Sequence, residues 1–352
     1  MAQKRILLLT PGFPASETDD RCNPPLQLLG KEWLEMGIQV DIITLDYPFT
    51  SVPYHWHDAH VWPCNGRNQK SRKVLTLLKA YQIGLQQSKT LPVESQIVIL
   101  SCWLGWASFV GNQIAQKTGL KHYTILMGQD VLRSNRLHLS RLSNYRFQHL
   151  IAVSAFHNEW RKKNTGHSAG QIIPWGLPKS LPAFTSIESR QNLILGVGNL
   201  IPVKNWDKWL DTLALFLPAH PEFKAILIGA GPQKAHLEQR SRDLGLSGFV
   251  TFTDSISRAE VIACMKQARI LLHTADYESF GFVLAEGLVE GLKIVSTPVG
   301  IASKLSDLLG NTPTELANCL EEALHHTSQK AQLPTMMEVA DQYIQVLFQA
   351  EN

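Results

Sequence analysis

The chain has 352 residues, more than one hydrophobic core ordinarily serves, so two domains are expected. A formal net charge of +3 is too small to make nucleic acid the main partner. Five scattered cysteines without a CxxC pair, and histidines without a clustered ligand set, argue against a disulfide scaffold or a zinc site and fit a reducing compartment.

No apolar leader precedes the first strand and no run reaches transmembrane length, so a cytoplasmic protein is expected. The first apolar run, Arg5–Thr10, reads as a fully buried strand. Pro11, Gly12 and Pro14 open a turn-rich loop. A helix is expected near Leu26–Met36, with Leu26, Leu29, Trp33 and Leu34 on one side; Gly37 stops it, and Gln39–Leu45 is the next strand. Strand, loop, helix and strand in this order suit the start of a doubly wound α/β domain, but GxGxxG is absent, so this is no dinucleotide fingerprint. From Asp46 to Arg72 the chain is polar and aromatic, and an irregular loop is expected. His55, His57 and His60 lie in it, but HxH without a carboxylate or cysteine in defined geometry is a weak signal, and no metal is expected. Lys70, Arg72 and Lys73 read either as a solvated basic helix start or as a patch for an anionic acceptor or membrane surface.

A helix over Val74–Gln87 and a strand over Ile97–Leu100 follow. Trp103, Trp106 and Phe109 are placed on one helical face, which is more often core than sugar platform. Ser101 and Trp103 come directly after the strand, where an open α/β sheet presents its ligand edge, and Gly105 permits close approach there. His122–Leu126 is a further strand, followed by Met127, Gly128, Gln129 and Asp130; Asp130 reads as a polar site residue or as the cap of the next turn. Leu150–Ser154 is a strand and Ser154 an N-cap. Two prolines and small polar residues mark Leu177–Arg190 as a linker.

The second half opens with a strand at Leu193–Val197, and Lys204 stands just before a helix with Trp206, Trp209, Leu210, Leu213 and Phe216 apolar. The strand Phe223–Ile228 ends in Gly229, Gly231 and Pro232, whose amides can approach a base or phosphate, although a simple turn explains GxG equally well. A strand at Val250–Phe252 leads to Thr253; a helix at Arg258–Gln267 and a strand at Ile270–His273 follow. The segment Tyr277–Gly300, YESFGFVLAEGLVEGLKIVSTPVG, then reads as loop, helix, tight turn and buried strand. Glu278 lies at or before the helix start, beside unpaired N–H groups that can also receive a phosphate; Ser279, Phe280, Gly281, Phe282 and Val283 supply that backbone. Glu286 lies further in and can accept two hydroxyl hydrogen bonds, as from a ribose. Gly287 permits close packing, Gly291 ends the helix, and helices at Thr314–His325 and Met336–Phe348 finish the chain.

Glu278, seven intervening residues and Glu286, inside ESFGFVLAEG and leading to Lys293–Gly300, closely resemble the retaining GT-B glycosyltransferases of family 4 (glycosyl transferases group 1). The resemblance continues upstream at GVGNLIPVKNWDKWLDTL and AILIGAGP; it is strong from Gln191 to about Leu309 and weaker in the N-terminal half. It implies an α/β GT-B fold of two Rossmann-like doubly wound domains facing across a cleft. The implied division is an acceptor-side domain at 1–176, a linker at 177–190, a nucleotide-sugar-binding domain at 191–330 and a C-terminal helix, 331–352, returning to the first domain. It further implies that Glu286 binds the donor ribose and that Glu278 lies near the sugar and phosphates. Lys204 would neutralise the donor diphosphate, Gly229 and Gly231 would approach base or phosphate, Thr253 would help read the base, and Gly12 would touch donor phosphates or acceptor. Two positions depart from the family pattern: Met127–Gly128 stands where a His–Gly pair is frequent, with Asp130 matching the polar residue beyond it, and Asn199 stands where an arginine is usual.

The reading that follows is a retaining hexosyltransferase-like enzyme with Glu278, Lys204 and Asp130 as its catalytic candidates, in which a donor phosphate takes the acceptor proton. It needs no cofactor beyond the nucleotide-diphosphate sugar as donor substrate. The acceptor is a glycan, lipid or small molecule, peripheral contact with a membrane's inner face is compatible with the basic segment, and no obligate protein partner is expected. The competing reading is a noncatalytic nucleotide-sugar binding protein or partner subunit; a GT-B epimerase or phosphorylase ranks behind it.

Overall fold

A computed structural model describes residues 3–89, 96–132, 149–177, 190–325 and 333–349. The expected linker, apart from Leu177 and Arg190, lies outside the described residues. The chain divides into two compact units, Met1–Pro178 with Pro334–Asn352, and Lys179–Leu333.

The first unit is built from β1 (Lys4–Gly12), α1 (Pro24–Glu35), β2 (Gln39–Tyr47), β3 (Tyr54–Trp56), β4 (Ala59–Pro63), α2 (Lys73–Gln87), β5 (Gln96–Cys102), α3 (Trp106–Thr118), β6 (Lys121–Leu126), β7 (Leu150–Ala152), α4 (Ala155–Thr165) and β8 (Gln171–Ile172). Its strands lie in the order β3-β4-β2-β1-β5-β6-β7-β8. Every pair is parallel except the β3–β4 hairpin. Ile6, Leu7, Leu8 and Leu9 are all buried, as an unbroken apolar run requires when helices cover both faces of a parallel sheet. Leu8 sits between Ile42 and Leu100, so β1 is central and the strand order reverses beside it.

Two expectations are corrected in this unit. The stretch after Asp46 is not irregular throughout: residues 54–63 form a hairpin that extends the sheet along β2. Trp56, Ala59 and Val61 are buried, and Trp56 meets Phe13 edge to face with ring centroids 4.9 Å apart. Burial of that period-two set outweighs the polarity of the neighbouring residues. Trp103 does not share a helix face with Trp106 and Phe109, because it precedes α3 and holds φ 66°, a left-handed conformation rare for so bulky a residue.

The final helix, Met336–Phe348, lies against α1: Tyr343 and Trp33 are both buried and touch edge to face at 5.8 Å. A capping box between Thr335 and Glu338 starts that helix, and Leu177 N–H donates to the Pro334 carbonyl at 2.9 Å just before it.

The second unit contains β9 (Leu193–Val197), α5 (Trp206–Phe216), β10 (Lys224–Ile228), α6 (Lys234–Asp243), β11 (Val250–Thr253), α7 (Arg258–Gln267), β12 (Ile270–His273), α8 (Phe282–Val289), β13 (Lys293–Ser296), α9 (Ala302–Leu305) and α10 (Pro313–His325). Its wholly parallel sheet has the order β11-β10-β9-β12-β13, the doubly wound arrangement, with the reversal between β9 and β12. Trp206, Trp209, Leu210, Leu213 and Phe216 of α5 are buried in the core with Leu227 and Leu272. Arg190, where the described chain enters this unit, donates from its guanidinium to the carbonyls of Met265, Ala268 and Glu290, the ends of α7 and α8.

Candidate functional site

Open α/β sheets bind ligands beyond the carboxyl ends of their strands, at the reversal of strand order. In the second unit the loops at that edge are joined in series. Behind β9 and β10 they touch backbone to backbone: a Cβ on Gly229 would lie 1.9 Å from the Gly198 carbonyl oxygen, and one on Gly231 would lie 2.4 Å from that of Leu200. The glycines of GAGP are therefore required by this contact between loops, whatever else their amides do. Lys234, just past GAGP, pairs with Asp254 just past β11 at 2.6 Å. The loops after β9 and β12 are tied by the Asp276 N–H, which donates to the Val203 carbonyl at 2.9 Å, and by the Thr274 hydroxyl, which donates to Asn205 at 3.0 Å. Beyond β13, Ile301 N–H donates to the Phe280 carbonyl at 2.8 Å, and Gly300, at φ 56°, approaches that carbonyl more closely than any side chain allows.

Lys204 and Glu278 meet across this edge: the ammonium forms an ion pair with Glu278 Oε1, and both side chains keep a solvent-facing part, 15% and 20% exposed. Glu278 lies three residues before Gly281, the left-handed cap of α8 at φ 86°. The first-turn N–H groups of Phe282 and Val283 lack intrahelical acceptors. Phe280 itself is buried and Ser279 nearly so, leaving backbone as what that stretch offers a ligand. Leu284, Ala285 and Gly287 form the buried side of α8, and a Cβ on Gly287 would press to 2.8 Å from Leu271. Thr253 ends β11 half-buried, its hydroxyl donating to the Asp254 carbonyl at 3.1 Å. Asn199 is exposed and uses its carbonyl to accept from the Trp206 indole at 2.9 Å.

Sequence reasoning missed two residues here. Arg258, the first residue of α7, reaches Glu286 one turn into α8, with Nε and Nη2 both 2.8 Å from Oε1. Burial pushes the Glu286 carboxyl up, and Arg258 opposes that shift. His273, the last residue of β12, is buried; burial and then the Lys204 charge depress its pKa to about 4, with Glu278 acting the other way. Its place at the carboxyl end of a central strand was the available signal; nothing in the sequence joins Arg258 to Glu286.

The first unit places its candidates differently. Gly12 closes β1, and its carbonyl accepts from Thr10 Oγ1 at 3.0 Å and Asn23 Nδ2 at 3.1 Å. Asp130 is buried, and its carboxylate accepts from the N–H groups of Leu104 at 3.0 Å, Gly128 at 3.1 Å and Met127 at 3.3 Å, with His157 Nε2 at 3.6 Å. Burial raises its pKa, but His157 and the amides of Leu104 and Gly128 prevail and hold it below the usual carboxylate range. Ser154 caps α4 by accepting from His157 N–H. His55 and His60 stack across the hairpin at 4.2 Å, and no group of three or more His, Cys, Asp or Glu side chains among the described residues is arranged to hold a metal ion.

Residues 179–308 match the family Glycosyl transferases group 1. Over the fold, 98% of this chain superposes on 95% of sucrose-phosphate synthase from Thermosynechococcus elongatus, with a TM-score of 0.72 and 18% identity. Coverage of Anabaena HepE in complex with UDP and glucose is likewise 98% and 95%, with a TM-score of 0.67 and 18% identity. The fold is GT-B. In sequence, the GT-B chain is 32% identical to the lipopolysaccharide glucosyltransferase WaaG of Escherichia coli over 148 residues, 41% of this chain and 38% of WaaG. It is 28% identical to a GDP-mannose-dependent phosphatidylinositol dimannoside mannosyltransferase of Mycobacterium tuberculosis over 137 residues, 39% of this chain and 34% of that enzyme. These matches span well under half the length of either relative.

Proposed function

We propose that this protein is a retaining glycosyltransferase of family 4 that moves a sugar from a nucleotide-diphosphate donor to a hydroxyl acceptor. The observation that carries the reading is the Lys204–Glu278 pair, set beside the first turn of α8 at the reversal of strand order, with Glu286 one turn further along the same helix. Lys204 and the α8 amides are the groups this chain offers to the charge that develops on a leaving diphosphate. Glu278 lies where a bound sugar and its phosphates would be flanked, and Glu286 can accept from ribose hydroxyls. In the proposed step the acceptor oxygen attacks the anomeric carbon from the leaving-group face. The bond from that carbon to the diphosphate breaks, and the acceptor proton passes to a donor phosphate oxygen, giving the glycoside and the nucleoside diphosphate. The match to glycosyl transferases group 1 and the named activities of the relatives support this class.

A second reading, a noncatalytic nucleotide-sugar binding protein, is favoured by Asn199 in place of the usual arginine and Met127 in place of the frequent histidine. One screen separates the two: purified protein, a panel of nucleotide-sugars, and mass-resolved transfer onto cell-extract acceptors, with the product's anomeric configuration read by NMR. Transfer with retention is expected. Inversion overturns the mechanism, binding without transfer or hydrolysis supports the second reading, and failure to bind any nucleotide-sugar removes the protein from the class.

The acceptor side of this reading includes peripheral contact with an anionic membrane surface. Val74, Leu75 and Leu78, on the exposed side of α2, are 69%, 71% and 53% exposed, and no Asp or Glu occurs between Asp58 and Glu94. Arg67, Lys70, Arg72, Lys73 and Lys79 surround that apolar stripe in sequence, and Arg67 also stacks over the exposed Phe49 ring at 5.5 Å. Exposed aliphatic side chains in a basic helical setting suit an interfacial segment. Among the described residues no helix is long and apolar enough to cross a membrane.

A further inference from the structure

The Arg258–Glu286 contact has an unusual division of labour. An arginine and a carboxylate commonly pair fork to fork, which occupies both carboxylate oxygens. Here Nε and Nη2 converge on Oε1 alone. Among the described residues Oε2 has no protein hydrogen-bond partner, and it is not among the fully buried polar atoms left without one, so it keeps some access to solvent. The two residues come from different helices that both begin at the carboxyl edge of the second sheet, α7 after β11 and α8 after β12. Arg258 is anchored by a start that does not depend on Glu286: Ser257 and Glu260 form a capping box around it. Glu286 is 12% exposed, so its rotamer and charge are set by the protein around it more than by solvent.

We infer that Arg258 is the positioning residue for Glu286: it grips Oε1, orients the carboxylate and favours its anion, and leaves Oε2 to accept from the vicinal diol of a nucleoside. The inference rests on the nucleotide-donor reading for its ligand, but not for the contact itself. The charges acting on Glu286 are Arg258 from α7 and Glu290 at the end of its own helix, the first favouring the anion and the second opposing it; the elements packed against α8 carry His273 on β12, Lys293 on β13 and Lys304 on α9, and none of these adds to the charges acting on it. An arginine stays charged throughout the accessible pH range, so its support does not fade on mild acidification. Without it, a carboxyl this buried takes up a proton at a higher pH, and affinity for a diol that needs the anion is lost as pH falls through that value.

The test compares wild type with Arg258→Met, Arg258→Lys and Glu286→Gln. The carboxyl carbon of Glu286 is titrated by NMR, and UDP, GDP and ADP binding is measured by calorimetry from pH 5 to pH 8. In Arg258→Met the Glu286 midpoint should rise by about one pH unit or more, and affinity for the preferred nucleotide should fall about tenfold at neutral pH and further on acidification. Arg258→Lys should restore much of the midpoint but only part of the affinity, because a point charge does not orient the carboxylate as the guanidinium does. In a Glu286→Gln background, Arg258→Met should no longer alter the pH profile. An unshifted midpoint, or an affinity loss equal at every pH, overturns the inference and leaves Arg258 a packing residue. If wild type binds none of the three nucleotides, the donor reading fails, while the NMR midpoint still decides whether Arg258 governs Glu286.

Discussion

The two units hold carboxylates beyond the carboxyl ends of parallel strands, and they use them in opposite ways. Asp130 in the first unit is turned inward, with the N–H groups of Leu104, Met127 and Gly128 and the ring of His157 around it. Glu278 and Glu286 in the second unit each face one cation, and each pair keeps a part open to solvent. A carboxylate surrounded by backbone donors is held by the fold and in turn fixes the fold; in this unit it also helps hold the backbone around the strained Trp103. A carboxylate that faces one partly exposed lysine or arginine keeps room for a ligand beside that partner. The same functional group in the same kind of place is thus scaffold in one unit and a candidate for chemistry in the other, and the neighbours decide which.

That contrast is broken most directly at Asp130. Asp130→Ala should lower stability by about 3–5 kcal/mol, because it strands three amides and a histidine in a buried setting. Urea unfolding measures this; an unchanged midpoint would mean that the carboxylate is not scaffold. Glu278→Gln should leave the same midpoint nearly unmoved while impairing transfer.

Acidification makes a second comparison, since each unit has a buried histidine whose pKa burial depresses. Burial depresses His122 to about 3 and His273 to about 4, both from 6.5. The unfolded chain therefore binds more protons over that window, and stability falls as pH drops below 6.5 toward those values. For His273 the full effect is about 3 kcal/mol, reached only near pH 4. His273→Gln should flatten the dependence of the unfolding midpoint on pH between 6.5 and 4, and an identical slope in the variant would refute the assignment.

Lys204→Ala sharpens the functional half of the comparison. It should cost nucleoside diphosphates about 1.5–3 kcal/mol of binding free energy and leave nucleosides almost unaffected, since only the former carry the diphosphate. Equal losses for both ligands by calorimetry would point to a distorted loop instead.

The smallest effect on the fold is expected where neither unit relies on a charge. Replacing Val74 and Leu75 by serine should change stability by less than about 0.5 kcal/mol. It should also abolish flotation with vesicles containing a third phosphatidylglycerol in phosphatidylcholine. Undiminished flotation would remove the membrane surface from the proposal.

Much of the architecture was legible because unbroken apolar strands such as Ile6–Leu9 and the stops at Gly37 and Gly291 act locally. Glu278 and Glu286 were singled out by their spacing together with the family resemblance and Lys204 by its place before a helix and the same resemblance, and the structure brings Lys204 and Glu278 into contact. What escaped depends on partners far along the chain. The hairpin at 54–63 hid behind polar neighbours although its alternation was present, and the left-handed Trp103 is held by Ser108, β6 and Asp130 through its own and its neighbour's backbone. The Arg258 grip on Glu286 spans two helices. The glycines of GAGP were recognised, but their packing against Gly198 and Leu200 could not be read from the motif alone.

Arg190 bears on how the molecule can be cut. Its guanidinium fastens the point of entry into the second unit to carbonyls at the ends of two helices 75 and more residues downstream. A fragment that begins at Gln191 would expose those carbonyls and release both helix ends, while one that keeps Arg190 retains a side-chain clasp independent of the covalent chain before it. Severing the polypeptide ahead of this residue should therefore be far gentler than severing it one residue later.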